Sequence, residues 1–251
     1  MSVTANLLIS DSFNFFKNQL IDLFILSFIS ATITIILYYS LVPINDMLTI
    51  VKTIGIQSNL TSLIKWINQL SNEEKNIIMK ISLFSLTTIF IGLILLVSSV
   101  ITYLLELSIG NKINAFQSFI LSLNILPNMF ILSIICTIII YFGFILFILP
   151  GIILAIGSSL SPIILITIKN ISPLKAICQS WKITFRYWWL ILSILLFWLS
   201  SQMFLTIFLG QFRFLPGLVN NIISFTVNNL ITSFTLIYFF RLYMLVGKTI
   251  N

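Results

Sequence analysis

The feature that most constrains this chain is a set of apolar runs too long for a soluble core. Met129–Ile168 reads MFILSIICTIIIYFGFILFILPGIILAIGSSLSPIILITI, with no charged side chain. A bilayer-spanning helix needs about 20 mainly apolar residues, and this stretch holds two such lengths joined end to end. Similar runs recur along the chain. An outer-membrane barrel is excluded, because its strands are short and alternate apolar with polar residues. Composition agrees: 59% of the 251 residues are hydrophobic and 8% are charged, whereas soluble domains carry about 25% charge.

These runs define an all-α fold, a polytopic transmembrane helical bundle forming a single integral membrane domain over residues 1–251. About six spans are expected, at 20–42, 81–105, 129–149, 151–168, 188–208 and 218–240, paired as three helical hairpins with amphipathic interfacial helices. The N-terminal MSVTANLLISDSFNFFKNQ is polar and amphipathic, and the first apolar run is too long for a signal h-region, so the first span is expected to remain as an anchor. Spans three and four meet at Pro150-Gly151, where proline breaks a helix and glycine permits a turn. A pair that crosses fully and a re-entrant pair both fit this short, uncharged link. Ser158-Ser159-Leu160-Ser161-Pro162 predicts a kink in span four.

Orientation is read from the flanking cations. With the N-terminus inside, Lys17, Lys112, Lys169, Lys175, Lys182, Arg186, Arg241 and Lys248 lie inside, eight in all. Lys52, Lys65, Lys75, Lys80 and Arg213 lie outside, five in all. The count places both termini in the cytoplasm of a bacterial inner membrane. The formal net charge of +7 is thereby assigned to lipid headgroups and topology, and nucleic acid is not expected as a partner.

Residues 43–80 form the one sizeable extramembrane insert. Leu63, Trp66, Ile67 and Leu70 fall on one helical face. Ser71 and Glu74 have the spacing of a capping box, which predicts a helix running on into span two.

The clearest candidate surface is SPLKAICQSWKITFRYWW, Ser172–Trp189. Ser172 suits an N-cap and Pro173 the first turn. On a helix, Lys175, Gln179, Lys182 and Arg186 make a polar stripe, and Leu174, Ile177, Cys178, Trp181 and Phe185 an adjoining apolar one. Such a helix lies along the membrane surface, with Trp188 and Trp189 at headgroup level. Lys175, Lys182, Arg186, Trp181, Trp188 and Trp189 are therefore the candidate lipid-headgroup residues. Simple anchoring and recognition of a specific lipid or partner are both open from the pattern alone.

A short repeat accompanies the spans. Asp11-Ser12-Phe13, Gln117-Ser118-Phe119 and Gln179-Ser180-Trp181 precede spans one, three and five. Each sits in a short amphipathic segment that leads into a hairpin. Three such units would put all three interfacial helices on one side.

Chemistry is sparse. The chain has no histidine, which removes the commonest general base and metal ligand. Cys136 and Cys178 are not spaced as a metal pair, and a disulfide framework is not expected. Asp22 and Glu106 fall at span ends and read as solvated or snorkelling carboxylates. The polar residues within the spans read first as packing glue between helices. A polar cavity formed by Ser158, Ser159 and Ser161 opposite Asn228 and Asn229 is the sharper alternative. No catalytic residue, metal site or cofactor is expected.

Together MSVTANLLISDSFNFFKNQ, LFILPGIILAIGSSLSPIILI, SPLKAICQSWKITFRYWW and the C-terminal LIYFFRLYMLV resemble the YciC-like family of bacterial inner-membrane proteins. The LPGIILA turn with the cationic stretch is also similar to the membrane region beside some glycerophosphodiester phosphodiesterases, without their catalytic residues. The first resemblance implies a multi-pass inner-membrane protein and carries over no functional residues. The function expected is non-enzymatic: organising or assisting lipids or partner proteins. A transporter or channel for a small neutral or amphipathic solute is the alternative, and a lipid-modifying enzyme is disfavoured by the lack of a catalytic cluster.

Overall fold

A computed structural model describes residues 5–43, 71–168, 170–211 and 217–247. They form ten α-helices, and no strand occurs among the described residues. In chain order the helices are α1 (Ala5–Asn18), α2 (Leu20–Leu41), α3 (Asn72–Ile109), α4 (Ala115–Leu123) and α5 (Leu126–Leu146), followed by α6 (Ile148–Ser158), α7 (Ser161–Thr167), α8 (Pro173–Thr184), α9 (Trp188–Gln211) and α10 (Gly217–Gly247). Six stretches are long and apolar enough to cross a membrane: Leu20–Leu41, Asn72–Ile109, Leu126–Leu146, Ile148–Thr167, Trp188–Phe208 and Gly217–Val246. The order amphipathic helix, span, span therefore occurs three times, as α1-α2-α3, α4-α5-α6/α7 and α8-α9-α10.

The chain divides into two compact units, Met1–Ala31 with Ile94–Asn251, and Thr32–Leu93. In the smaller unit, Ser71 and Glu74 form the expected capping box. The Ser71 N–H donates to Glu74 Oε2 (2.9 Å), and the Glu74 N–H donates to Ser71 Oγ (3.2 Å). This cap starts a helix of 38 residues, about 57 Å long at 1.5 Å per residue. The helix is thus nearly twice as long as a ~30 Å hydrocarbon core is thick. The face expected from Leu63, Trp66, Ile67 and Leu70 lies outside the described residues.

In the larger unit, the turn between spans three and four differs from the expected one. The helix breaks at Phe147, which is extended (φ −162°, ψ 160°), and Pro150-Gly151 lies inside the first turn of α6. Proline is tolerated there because first-turn N–H groups lack an intrahelical acceptor in any case. Gly151 instead serves close packing: a methyl group on Gly143 would fall 2.9 Å from Gly151 Cα. The expected kink is present. α6 ends at Ser158, and α7 restarts at Ser161 with Pro162 in its first turn.

The core of this unit includes Leu23 and Leu26 of α2, Val100 and Ile101 of α3, Ile163 and Ile164 of α7, and Ile237 and Leu242 of α10, all at most 1% exposed. α5 and α9 contribute little to it. Only 17% and 11% of their most apolar windows are buried, so most of their surface needs hydrocarbon or another protein beside it.

Candidate functional site

The three amphipathic helices do not float beside the bundle. They dock onto it, and in each case the serine of the repeated tripeptide is buried. Ser12, Ser118 and Ser180 are all 0% exposed.

On α8 the docked face is Ala176, Ile177, Ser180, Ile183 and Thr184. Ala176, Ser180 and Thr184 follow at four-residue intervals, so small side chains line one edge and let helix backbones approach. The Ser180 hydroxyl donates to the Gly157 carbonyl at 2.5 Å, and Thr184 Oγ1 reaches the same oxygen at 3.4 Å. That carbonyl lies in the last turn of α6, where intrahelical donors run out. The break that Ser158–Pro162 imposes on span four thus frees an acceptor, and α8 supplies its donors. Gly157 also makes room for the Trp181 ring, since a Cβ there would lie 2.9 Å from Trp181 Nε1.

α4 docks by the same device. The Ser118 hydroxyl donates to the Ser99 carbonyl of α3 at 2.8 Å. At its N-terminus, the Ala115 N–H donates to Asp22 Oδ1 at 3.2 Å, and the Asn114 N–H to Gln117 Oε1 at 3.2 Å. Asp22 Oδ2 also accepts from the Tyr103 hydroxyl at 2.8 Å. Tyr103 Oη lies 2.7 Å from the Gln19 side-chain amide. A phenol has one proton, so this contact is satisfied when the Gln19 amide turns its NH₂ toward the phenol. Asp22 is therefore a joint between α2, α3 and the start of α4, where a negative charge also suits the helix dipole. The sequence reading of Asp22 as a solvated or snorkelling carboxylate is corrected here. Its partners lie 81 and 93 residues away in the chain, beyond any local pattern. Glu106 is held locally, accepting from Asn111 Nδ2 at 2.6 Å.

α1 docks onto α10. Phe16 and Phe234 meet edge to face with centroids 5.7 Å apart, and the Arg241 guanidinium lies 4.9 Å from the Phe15 ring centroid. Ser12 is buried like its counterparts, but its hydroxyl has no hydrogen-bond partner. Each amphipathic helix thus packs on the second span of another repeat: α4 on α3, α8 on α6, and α1 on α10. The three repeats close on themselves.

The outward face of α8 carries the charge. Lys175, Lys182 and Arg186 are exposed, and Trp188 and Trp189 are exposed and stacked at 4.3 Å. Trp181 is half-buried. Leu174 and Phe185 stay 62% and 50% exposed, so α8 has two non-aqueous faces, one against the bundle and one left open by it. Phe185 itself closes the helix as its C-cap. Of the chain's cations, Lys52, Lys65, Lys169, Arg213 and Lys248 lie outside the described residues.

The two halves of the expected polar cavity turn to different partners. Ser158 and Ser159 donate to carbonyls of their own helix, and Ser161 is buried at the head of α7. Asn229 Nδ2 donates to the Ser27 carbonyl of α2 at 3.1 Å. The Asn228 backbone carbonyl accepts from Thr232 Oγ1, which in turn accepts from Trp198 Nε1 at 3.1 Å. The Asn228 side-chain oxygen is buried without a partner. Among the described residues, no group of three or more His, Cys, Asp or Glu could hold a metal ion. Cys136 and Cys178 are free thiols, and Cys178 is exposed.

The profile of an uncharacterised protein family, UPF0259, matches residues 1–245. A UPF0259 membrane protein of Photorhabdus laumondii is 35% identical over 251 residues, covering 99% of this chain and 98% of its own. UPF0259 membrane proteins of Yersinia pestis and Yersinia pseudotuberculosis are 33% identical over 249 residues, covering 98% of this chain and 96% of theirs. The chain belongs to UPF0259. No solved structure matches it. The match to these UPF0259 relatives runs over nearly the whole chain, the sequence of all three repeats included. It is a membrane protein, as its relatives' names say and its six apolar helices require.

Proposed function

We propose that this protein is a non-enzymatic component of the bacterial inner membrane that organises or assists lipids at the cytoplasmic leaflet. The observation that carries the reading is the two-faced docking of α8. Its small and hydroxyl residues hold it to the bundle, while Lys175, Lys182 and Arg186 are left exposed beside the stacked Trp188 and Trp189. A cation near an anionic leaflet contributes about 1 kcal/mol. A helix already fixed to a rigid bundle loses little further freedom on meeting headgroups, so more of that attraction is retained as affinity. The cation count supports both termini facing the cytoplasm, with α1, α4 and α8 on that side.

Transport of a small solute has less support, because Asn229 and Thr232 are engaged with neighbouring helices rather than left to line a path.

Two measurements test the reading. Native purification followed by lipid identification should recover anionic phospholipid from the wild type and about thirtyfold less from Lys175→Gln with Lys182→Gln, the ratio for two charges at about 1 kcal/mol each. Unchanged anionic lipid in that variant removes the role given to α8. In intact cells, a membrane-impermeant maleimide should leave Cys178 unlabelled until the membrane is opened. Labelling from the periplasm reverses the orientation.

A further inference from the structure

A cavity of about 340 Å³ opens where α1, α3 and α10 meet. Its floor is apolar, with Leu104 3% and Ile237 1% exposed, and Leu245 at its edge is 49% exposed. Its polar groups are few and of both signs: Asp11 from α1, Ser108 from α3 and Arg241 from α10. Among the described residues no ion pair joins Asp11 to Arg241, although both line the same space. An acid and a base that share a cavity without neutralising each other present one site for an anion and one for a cation.

The surroundings sharpen each site. The Phe15 ring lies under the Arg241 guanidinium, which fixes the group in place and leaves its planar fork of N–H donors free for a phosphate. Ser108 spends its proton on the Leu105 carbonyl at 2.6 Å. What it offers the cavity is an acceptor oxygen, which suits an ammonium rather than a second anion. Asp11 is likewise an acceptor. The cavity is near the lower end of the ~300–1,000 Å³ typical of ligand sites, too small to enclose a whole diacyl lipid.

We propose that this cavity binds the headgroup of a zwitterionic aminophospholipid, with the phosphate on Arg241 and the primary ammonium on Asp11 and Ser108. The proposal rests on the lipid-handling reading above but uses a different set of residues. It makes a selectivity statement that α8 does not. A primary ammonium can donate to Asp11 and Ser108, whereas a quaternary choline has no N–H to donate, and a phosphatidylglycerol headgroup brings no cation to Asp11.

The test uses the full-length protein in detergent, offered equimolar phosphatidylethanolamine, phosphatidylcholine and phosphatidylglycerol with identical chains, and read by native mass spectrometry. The wild type should retain phosphatidylethanolamine about tenfold over phosphatidylcholine, and the Lys175→Gln with Lys182→Gln variant about tenfold over phosphatidylglycerol as well, the scale of one charge-assisted hydrogen bond. Asp11→Asn should abolish that preference, and Arg241→Gln, which removes the partner of the phosphate common to all three lipids, should lower phosphatidylethanolamine retention about tenfold, while Lys175→Gln with Lys182→Gln keeps the preference and loses phosphatidylglycerol. Equal retention of phosphatidylethanolamine and phosphatidylcholine by the wild type overturns the proposal without needing any variant. Persistence of the preference in Asp11→Asn, or undiminished phosphatidylethanolamine retention in Arg241→Gln, overturns it too. If the preference is absent while the α8 variant still sheds anionic lipid, the cavity assignment fails and the leaflet reading stands. If the preference is present and the α8 variant sheds nothing, the α8 reading fails and the cavity stands.

Discussion

Ser118 and Ser180 dock α4 and α8, and Ser12 is buried at the same place in the repeat on α1. All three serines are fully buried. Two of them donate to a carbonyl of the span beneath, and the third has no partner. The small side chain is what all three docks need, because it lets one helix lie close on another. The hydrogen bond is a separate gain that depends on whether a carbonyl is in reach. For α8 the carbonyl is in reach because span four is broken just above it.

This comparison can be pressed with substitutions, each read as thermal unfolding of the purified protein in detergent. The largest effect belongs to the close approach itself. Gly157→Leu drives a branched side chain into the Trp181 ring and should cost about 3 kcal/mol, as overpacking of a tight contact does. A stability within about 0.5 kcal/mol of wild type means α8 is not held there. Next comes the joint under α4. Asp22→Ala removes the acceptor for both Tyr103 and Ala115 and should cost about 2 kcal/mol, the range for hydrogen bonds to a charged group. If the loss falls below that of Ser118→Ala, the carboxylate is not the joint.

Ser118→Ala and Ser180→Ala keep the small contour and lose only the bond, so each should cost about 1 kcal/mol. Ser12→Ala deletes a buried hydroxyl that bonds to nothing and should be neutral or stabilising by up to about 1 kcal/mol. Equal losses for all three serines would show that size alone matters and that the carbonyl bonds add nothing.

Much of this architecture was legible before any coordinates. The apolar runs marked the six spans, since hydrocarbon demands length and continuity. The capping box at Ser71 and Glu74 and the kink at Ser158–Pro162 are local chemistry, and both are where the residues put them. The turn between spans three and four lies at Phe147, three residues before the expected Pro150-Gly151. Proline breaks a helix interior but is equally at home in the first turn, and only the packing of Gly143 on Gly151 shows which applies. On α8 the pattern of large apolar residues revealed the face the bundle leaves open. Of the docked face it holds only Ile177, because Ser180 and Thr184 count as polar in any hydrophobic pattern although they are buried between helices.

The sequence by itself therefore determined the solvent and the order of elements: spans, amphipathic leaders, and a threefold repeat of both. These follow from transfer of side chains into hydrocarbon and from caps and breakers within a turn or two of the chain. Tertiary structure alone decided which serine finds a carbonyl, that Asp22 serves Tyr103 and Ala115, and that Asp11 and Arg241 face one cavity. Each of those is a meeting of groups separated by tens to hundreds of residues, and its strength depends on distances of a few tenths of an ångström that no local pattern encodes.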